Sequence, residues 1–100
     1  MARIPQAQFI EAYRIVRANP NKYDMWGYEF GRNKCYTLWY SKQKCTLSHY
    51  NTIIYECNFK TKKFKIGGWS KSDADAINSM ARLTGIGGAY IKDGVLYPWK

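Results

Sequence analysis

An alternation of apolar and polar side chains between residues 50 and 66 constrains the fold of this chain more than any other feature. The run from Tyr50 to Phe59 is long enough for a half-buried strand, and Lys63 to Ile66 provides a second, with residues 60–62 as a short loop. The side chains expected on one face of the longer strand are Ile53, Tyr55, Cys57 and Phe59. This pattern predicts an antiparallel hairpin.

Two more strands are predicted before this hairpin. Residues 23–30 alternate, the turn 31–33 follows, and residues 35–41 alternate again. The expected faces are Trp26, Tyr28 and Phe30 in the first strand, and Tyr36, Leu38 and Tyr40 opposite Cys35, Thr37 and Trp39 in the second. Residues 42–49 contain lysine and glutamine and are interpreted as a connecting loop.

Segments with helical spacing lie before and after these strands and predict two helices. A first helix is predicted from Pro5 to Ala18, and Asn19-Pro20 ends it because the residue before proline avoids the α conformation. A second helix begins at the capping sequence 70–73 and ends at Gly85, a residue that adopts the left-handed conformation at little cost. The expected buried positions are Phe9, Ile10, Tyr13 and Val16 in the first helix, and Ala74, Ile77, Met80, Ala81 and Thr84 in the second.

A last hairpin is predicted over residues 89–97, since Asp93-Gly94 between apolar runs is a strong two-residue turn signal. The complete order is α-β-β-β-β-α-β-β. It predicts an α+β fold with two helices and a largely antiparallel sheet of about five to six strands. A chain of 100 residues has the length of one domain, so residues 1–100 are expected to form a single domain.

The charge distribution points to a polyanionic partner. The net charge is +9, and residues 32–71 contain nine basic residues and one acid, Glu56, which places +8 in that segment. The alternative is a lysine-coated sheet without a particular partner. No apolar run is long enough to span a membrane or to serve as a signal-peptide core, and three cysteines suggest no disulfide framework. Free thiols in a reducing cytosol are therefore expected.

The sequence argues against an enzyme. His49 is the single histidine, and the seven carboxylates are scattered, whereas acid–base catalysis usually needs two positioned titratable groups. Cys45 and His49 lie four residues apart, but the sequence shows no third residue that would orient the imidazole. No catalytic residue is assigned.

A structural zinc site is the remaining alternative among chemical sites. Cys35, Cys45, His49 and Cys57 are a valid ligand set. No two of the cysteines are separated by two residues, the Cys-x-x-Cys spacing that holds two ligands on one turn. Buried free thiols are therefore the preferred interpretation, and no cofactor is predicted.

The main candidate for a binding site is the basic and aromatic segment in the middle of the chain. Lysines beside exposed rings suit phosphate neutralisation with base stacking, or contact with an acidic protein surface. The candidate binding residues are Lys34, Lys42, Lys44, Lys60, Lys62, Lys63, Lys65, Trp69 and Lys71. The alternative is that the rings are core and the lysines only protect a sheet edge from aggregation.

Two segments carry a resemblance to known proteins. Leu47-Ser-His-Tyr-Asn-Thr-Ile-Ile-Tyr55 and Gly68-Trp-Ser-Lys-Ser-Asp-Ala-Asp-Ala-Ile-Asn-Ser-Met80 resemble short accessory proteins of Gram-positive phages and mobile elements. Some proteins of that kind inhibit host defence systems such as CRISPR–Cas9. The resemblance implies a non-enzymatic anti-CRISPR inhibitor or modulator in the cytoplasm of a bacterial host. It transfers no functional residue.

The partner that this resemblance implies is a host protein or ribonucleoprotein, such as Cas9 with its guide RNA. A net charge of +9 is incompatible with DNA mimicry, so such an inhibitor would contact an acidic protein patch or the guide RNA. The second functional hypothesis is a nucleic-acid-binding domain for single-stranded RNA or DNA or for duplexes.

Overall fold

Residues 6–98, which a computed structural model describes, form three α-helices and two antiparallel sheets. The helices are α1 (Gln6–Ala18), α2 (Pro20–Met25) and α3 (Lys71–Thr84). The larger sheet contains β1 (Tyr28–Phe30), β2 (Tyr36–Tyr40), β3 (Lys44–His49), β4 (Thr52–Asn58) and β5 (Phe64–Ile66), and the smaller contains β6 (Ala89–Lys92) and β7 (Val95–Pro98). The predicted α+β class and antiparallel sheet are confirmed. Pro5, the predicted start of the first helix, lies outside the described residues.

The five strands of the larger sheet lie in chain order, each antiparallel to the next. Directly opposed residues of neighbouring strands share a face, so Leu38, Leu47 and Tyr55 form one row across β2, β3 and β4. All three side chains are inaccessible to solvent. This buried face is the floor of the hydrophobic core.

Helices α1 and α3 cover the buried face. Phe9 and Val16 of α1 and Ile77 and Met80 of α3 belong to the same core cluster as the sheet residues. Both predicted helix boundaries are confirmed where the structure describes them, because α1 ends at Ala18 and α3 begins after its capping residue, Ser70. No helix within residues 6–98 is both long and apolar enough to cross a membrane.

The interpretation of residues 42–49 as a loop is wrong, because Lys44–His49 is the central strand β3. Cys45 and Leu47 are fully buried, whereas the alternate positions Lys44 and Thr46 lie on the opposite face. Polar residues at every second position are what a strand needs when only one face of its sheet is buried. Lys44 and Thr46 are therefore polar because they lie on the solvated face of a strand, and they do not indicate a loop.

The predicted strand over residues 23–30 is also wrong in its first half. Residues 20–25 form helix α2, with Pro20 in its first turn, and the strand is reduced to Tyr28–Phe30. The carbonyl of Asn19 accepts the first helical hydrogen bonds from the backbone N–H groups of Lys22 and Tyr23, each at 3.1 Å. A proline that ends one helix can thus begin the next, since its missing N–H needs no partner in a first turn.

The predicted faces of β4 are wrong at Ile53, because the strand contains a β-bulge. The register of β3 and β4 shifts between Leu47 and Ser48, which leaves Ile54 as an additional residue in β4. Ile53 consequently points away from the core and is 57% exposed, whereas Ile54 is fully buried. Tyr55 and Cys57 lie on the buried face as predicted.

The second hairpin is confirmed. Its turn is Asp93-Gly94, and both residues have positive φ, 54° and 76°, as the favoured two-residue hairpin turn requires. Ala89 at its start is buried in the core, and Leu96 packs against the core from β7. The hairpin thereby extends the core beside α3.

Candidate functional site

Five lysines that lie in or beside two connections between strands gather at one end of the larger sheet. The β2–β3 turn and the β4–β5 loop both lie there, and the backbone N–H of Phe59 donates to the carbonyl of Gln43 at 2.8 Å. We call this region the lysine end; its residues are Lys42, Lys44, Lys60, Lys62 and Lys63, all exposed. One backbone hydrogen bond therefore joins the two lysine-bearing connections.

The backbone of the β4–β5 loop is held by its own hydrogen bonds. The side-chain oxygen of Asn58 accepts from the N–H groups of Lys60 and Thr61, each at 2.9 Å. Lys62 has a positive φ of 64° and donates its N–H to the carbonyl of Asn58 at 2.8 Å. The loop thus has a defined shape, and its lysine side chains point into solvent.

The face of the sheet opposite the core continues this positive region. Its middle row, which crosses β2 to β5, consists of Trp39, Thr46, Glu56 and Lys65. We call this the open face. Lys65 lies on it, opposite Phe64 and Ile66, as the sequence predicted. Glu56 is an acid within the row and forms an ion pair with Lys44, with Nζ and Oε2 2.6 Å apart.

Three of the nine candidate binding residues lie at the opposite end of the sheet. Lys34 is in the connection before β2, and Trp69 and Lys71 precede or begin α3. Six of the predicted lysines therefore come together at the lysine end and the open face, and the other three residues do not join them. Trp69 is 74% exposed, as a contact residue would be, but it is remote from the lysine-bearing loop.

That opposite end carries an arrangement that the sequence did not reveal. The ring of His49 stacks between Tyr36 and Tyr50, with centroids 4.4 and 4.7 Å away, and its Nδ1 is 2.8 Å from Oδ1 of Asp73. Asp73 also accepts from the N–H groups of Trp69 and Ser70. Burial raises the pKa of Asp73, but these hydrogen bonds outweigh burial and hold it below its ordinary value.

Asp73 thus orients His49, a contact that no local sequence pattern reveals because 24 residues separate the two. The Asp73–His49 interaction does not turn Cys45 and His49 into a thiol–imidazole pair. In the strand register Cys45 opposes Tyr40 and Cys57, whereas His49 opposes Tyr36. The arrangement ties the β3–β4 turn to the start of α3.

The four candidate zinc ligands do not converge. Cys45 and Cys57 oppose each other in the core, and His49 is engaged by Asp73. Within residues 6–98, no three histidine, cysteine or acidic side chains are placed to hold a metal ion. The contact between the two sulfurs, together with burial, raises the pKa of the Cys45 thiol, whereas the same contact lowers the pKa of Cys57 to about 7, so only one of the pair readily becomes the thiolate that zinc would need.

Exposed apolar side chains form a second feature that the sequence did not locate. A groove of about 520 Å³ on the open face is lined by Trp39, Tyr50, Ile53 and the backbone of Gly27, among others. Gly27 lies against Trp39, since a Cβ there would stand 2.9 Å from the indole ring. The exposed fractions nearby are 68% for Tyr50 and 57% for Ile53.

Known proteins add nothing to this description: no protein-family model, curated protein or solved structure matches the chain.

Proposed function

We propose that this protein is a non-enzymatic nucleic-acid-binding protein whose lysine end and open face contact the phosphate backbone. The observation that carries the proposal is the hydrogen bond between Phe59 and Gln43, which brings two lysine-bearing connections together. Six lysines from separate parts of the chain thereby flank one continuous surface. Lysine ammonium groups that neutralise phosphates release condensed counterions, which supplies most of the affinity for nucleic acid.

The position of the lysines disfavours the alternative that they only protect a sheet edge. Protective lysines are expected along an edge strand, with their side chains beside its unpaired backbone groups. Here Lys65 is the one lysine within the edge strand β5, and Lys42, Lys60, Lys62 and Lys63 belong to connections at the strand ends. Aggregation control does not account for that placement.

The proposal is tested by two charge-reversal variants of equal charge. Lys42→Glu with Lys60→Glu changes the lysine end, and Lys34→Glu with Lys71→Glu changes the opposite end; all four side chains are exposed. Fluorescence anisotropy with a labelled oligonucleotide at low and moderate salt is the measurement. The first variant is expected to lose most of its affinity and the second to lose little, beyond the shared effect of net charge. Equal losses, or none, would refute the proposed surface.

A second candidate function is supported by the exposed apolar side chains. Met25, Trp26 and Tyr50 are 74%, 68% and 68% exposed, which is more apolar surface than phosphate contacts require and is typical of protein interfaces. We propose that these groups contact a protein, so that the chain inhibits or modulates a host nucleoprotein such as Cas9 with its guide RNA. The phage and mobile-element resemblance supports the same role.

The second function is tested with a purified Cas9–guide complex. Co-purification and loss of target cleavage are expected, and Trp26→Ser should weaken both without changing binding to free oligonucleotide. An unchanged cleavage rate at a large excess of the protein would refute an anti-CRISPR role on that effector. It would leave the nucleic-acid proposal to its own test.

A further inference from the structure

A pocket of about 680 Å³ lies beside the lysine end, on the core side of the β4–β5 loop. It is lined by Lys62, Lys63, Phe64, Gly85, Ile86 and Gly87. Two segments that are far apart in the sequence form its walls, namely the end of the lysine-bearing loop and the connection after α3. Its volume is within the range of sites for small ligands.

The floor of the pocket is aromatic, since the half-buried ring of Phe64 lines it. Gly87 has a φ of 75°, and a Cβ at this position would overlap the Phe64 ring, at 2.5 to 2.8 Å from its carbon atoms. The backbone of Gly87 therefore packs closely against part of the ring. The remaining part of the ring that lines the pocket, beside bare glycine backbone, suits a flat ligand that lies against Phe64.

The charges around the pocket specify the orientation of such a ligand. Helix α3 ends at Gly85, so the negative end of its dipole lies at one wall. A phosphate is disfavoured against that wall and favoured at the opposite rim, where Lys62 and Lys63 are exposed. A ligand with a neutral planar ring and an attached phosphate matches both sides.

We propose that this pocket receives one unpaired nucleobase of a single strand whose phosphates lie on Lys62 and Lys63. The inference rests on the proposed function and names its substrate as single-stranded nucleic acid. A base in a duplex is stacked and paired and cannot enter the pocket without unstacking, which costs free energy. Single strands are therefore bound more tightly than duplexes of the same length.

Phe64→Leu tests the pocket, since it removes the stacking ring and retains an apolar side chain. A labelled oligothymidine and a duplex of equal length are the probes. The variant is expected to bind the single strand about tenfold more weakly, because stacking of a base on an aromatic ring supplies free energy of that order. Duplex binding is expected to stay unchanged, since it depends on the lysines alone. Thermal melting confirms that the variant is folded.

Phe59→Leu is the matched control. It makes the same chemical change one loop away, where the ring packs on Tyr40 at 5.6 Å and does not line the pocket. Gly87→Ala is a second change, whose Cβ would overlap the Phe64 ring and displace it from the pocket wall, and it is expected to weaken single-strand binding as Phe64→Leu does. Thermal melting again confirms folding, because the positive φ of residue 87 strains an alanine.

The outcomes separate the two proposals. Unchanged single-strand binding in both folded pocket variants, or an equal loss for single strand and duplex, would overturn the base pocket and leave the lysine surface standing. Failure of the wild-type protein to bind either probe would overturn both.

Discussion

At the scale of single residues, an acid beside the lysine end reduces the positive charge of the surface. Glu56 lies in the middle of the open face, opposes Lys65 in the strand register and forms the ion pair with Lys44. Replacing it with glutamine removes the negative charge and releases Lys44 for phosphate contact. The sequence identified Glu56 as the single acid among the basic residues, but its pairing with Lys44 depends on strand register.

Glu56→Gln is expected to increase the affinity for nucleic acid by about two- to fivefold, the range of one partly exposed ion pair. Glu11→Gln is the matched control, because Glu11 is exposed on α1, which covers the other face of the sheet. Anisotropy titrations of both variants measure the difference. Equal affinities would mean that Glu56 does not border the bound phosphates.

The pKa of Asp73 predicts the acid sensitivity of the fold. Because the folded-state pKa is lowered from 3.8, the stabilisation is fully present above that value and is lost as the pH falls through the folded-state pKa. Asp73→Asn weakens the capping interactions and the contact with His49, and it should cost about 1 to 2 kcal/mol of unfolding free energy at neutral pH.

Urea unfolding as a function of pH measures this effect. Wild type should lose stability steeply below about pH 4, and Asp73→Asn should lose less over the same range. Asp24→Asn, at an exposed position of α2, should behave like wild type. An identical pH dependence in the Asp73 variant would contradict a lowered pKa for this carboxyl.

At the scale of elements, the predictions succeeded where local chemistry is decisive. The capping box of α3 joins Ser70 and Asp73, and Gly85 at the other end adopts the left-handed conformation with φ 75°. Both motifs act within a few residues, so the sequence is sufficient to find them. β3 was missed because its polar residues resemble a loop until neighbouring strands show that one face is solvated.

The attachment of the second hairpin to α3 is an interaction between elements that local patterns do not contain. The side chain of Asn78 donates to the carbonyl of Ala89 and accepts from its N–H, both at 2.9 Å, much as a neighbouring strand would. Because Ala89 is buried, these backbone groups have no access to water. One amide side chain thus satisfies the start of β6.

Asn78→Ala is expected to lower the unfolding free energy by about 2 kcal/mol, since it leaves two buried backbone groups without partners. Faster hydrogen exchange should appear in β6 and β7 before the rest of the fold, because the hairpin loses its anchor. Asn21→Ala, at an exposed position of α2, is the control and should change neither measurement. Uniform acceleration of exchange throughout the chain would refute a local anchoring role.

At the scale of the whole molecule, the positive charge is unevenly distributed. Helices α1 and α3 cover one face of the sheet, and the lysine-bearing connections project from one end of it. Lys44 is paired with Glu56, which leaves five lysines free for phosphates: Lys42, Lys60, Lys62, Lys63 and Lys65. If each neutralises one phosphate of a single strand, a plot of log binding constant against log salt concentration should have a slope of about −3.5.

Titrations over a series of salt concentrations give this slope directly. The variant Lys42→Glu with Lys60→Glu should make it shallower by about 1.4, since two phosphate contacts are lost. Lys34→Glu with Lys71→Glu should leave it nearly unchanged. A wild-type slope close to zero would show that binding does not depend on phosphate neutralisation.

The sequence by itself determined the α+β class, both hairpins, the end of α1, both ends of α3 and the excess of positive charge, because caps, turns and side-chain periodicity act over short distances. Tertiary structure alone decided which lysines share a surface, that Asp73 contacts His49 while Cys45 does not, and that Phe64 and Gly87 line one pocket. These relations depend on the antiparallel register and on a bulge at Ile54, and register is set by packing of the whole core against α1 and α3.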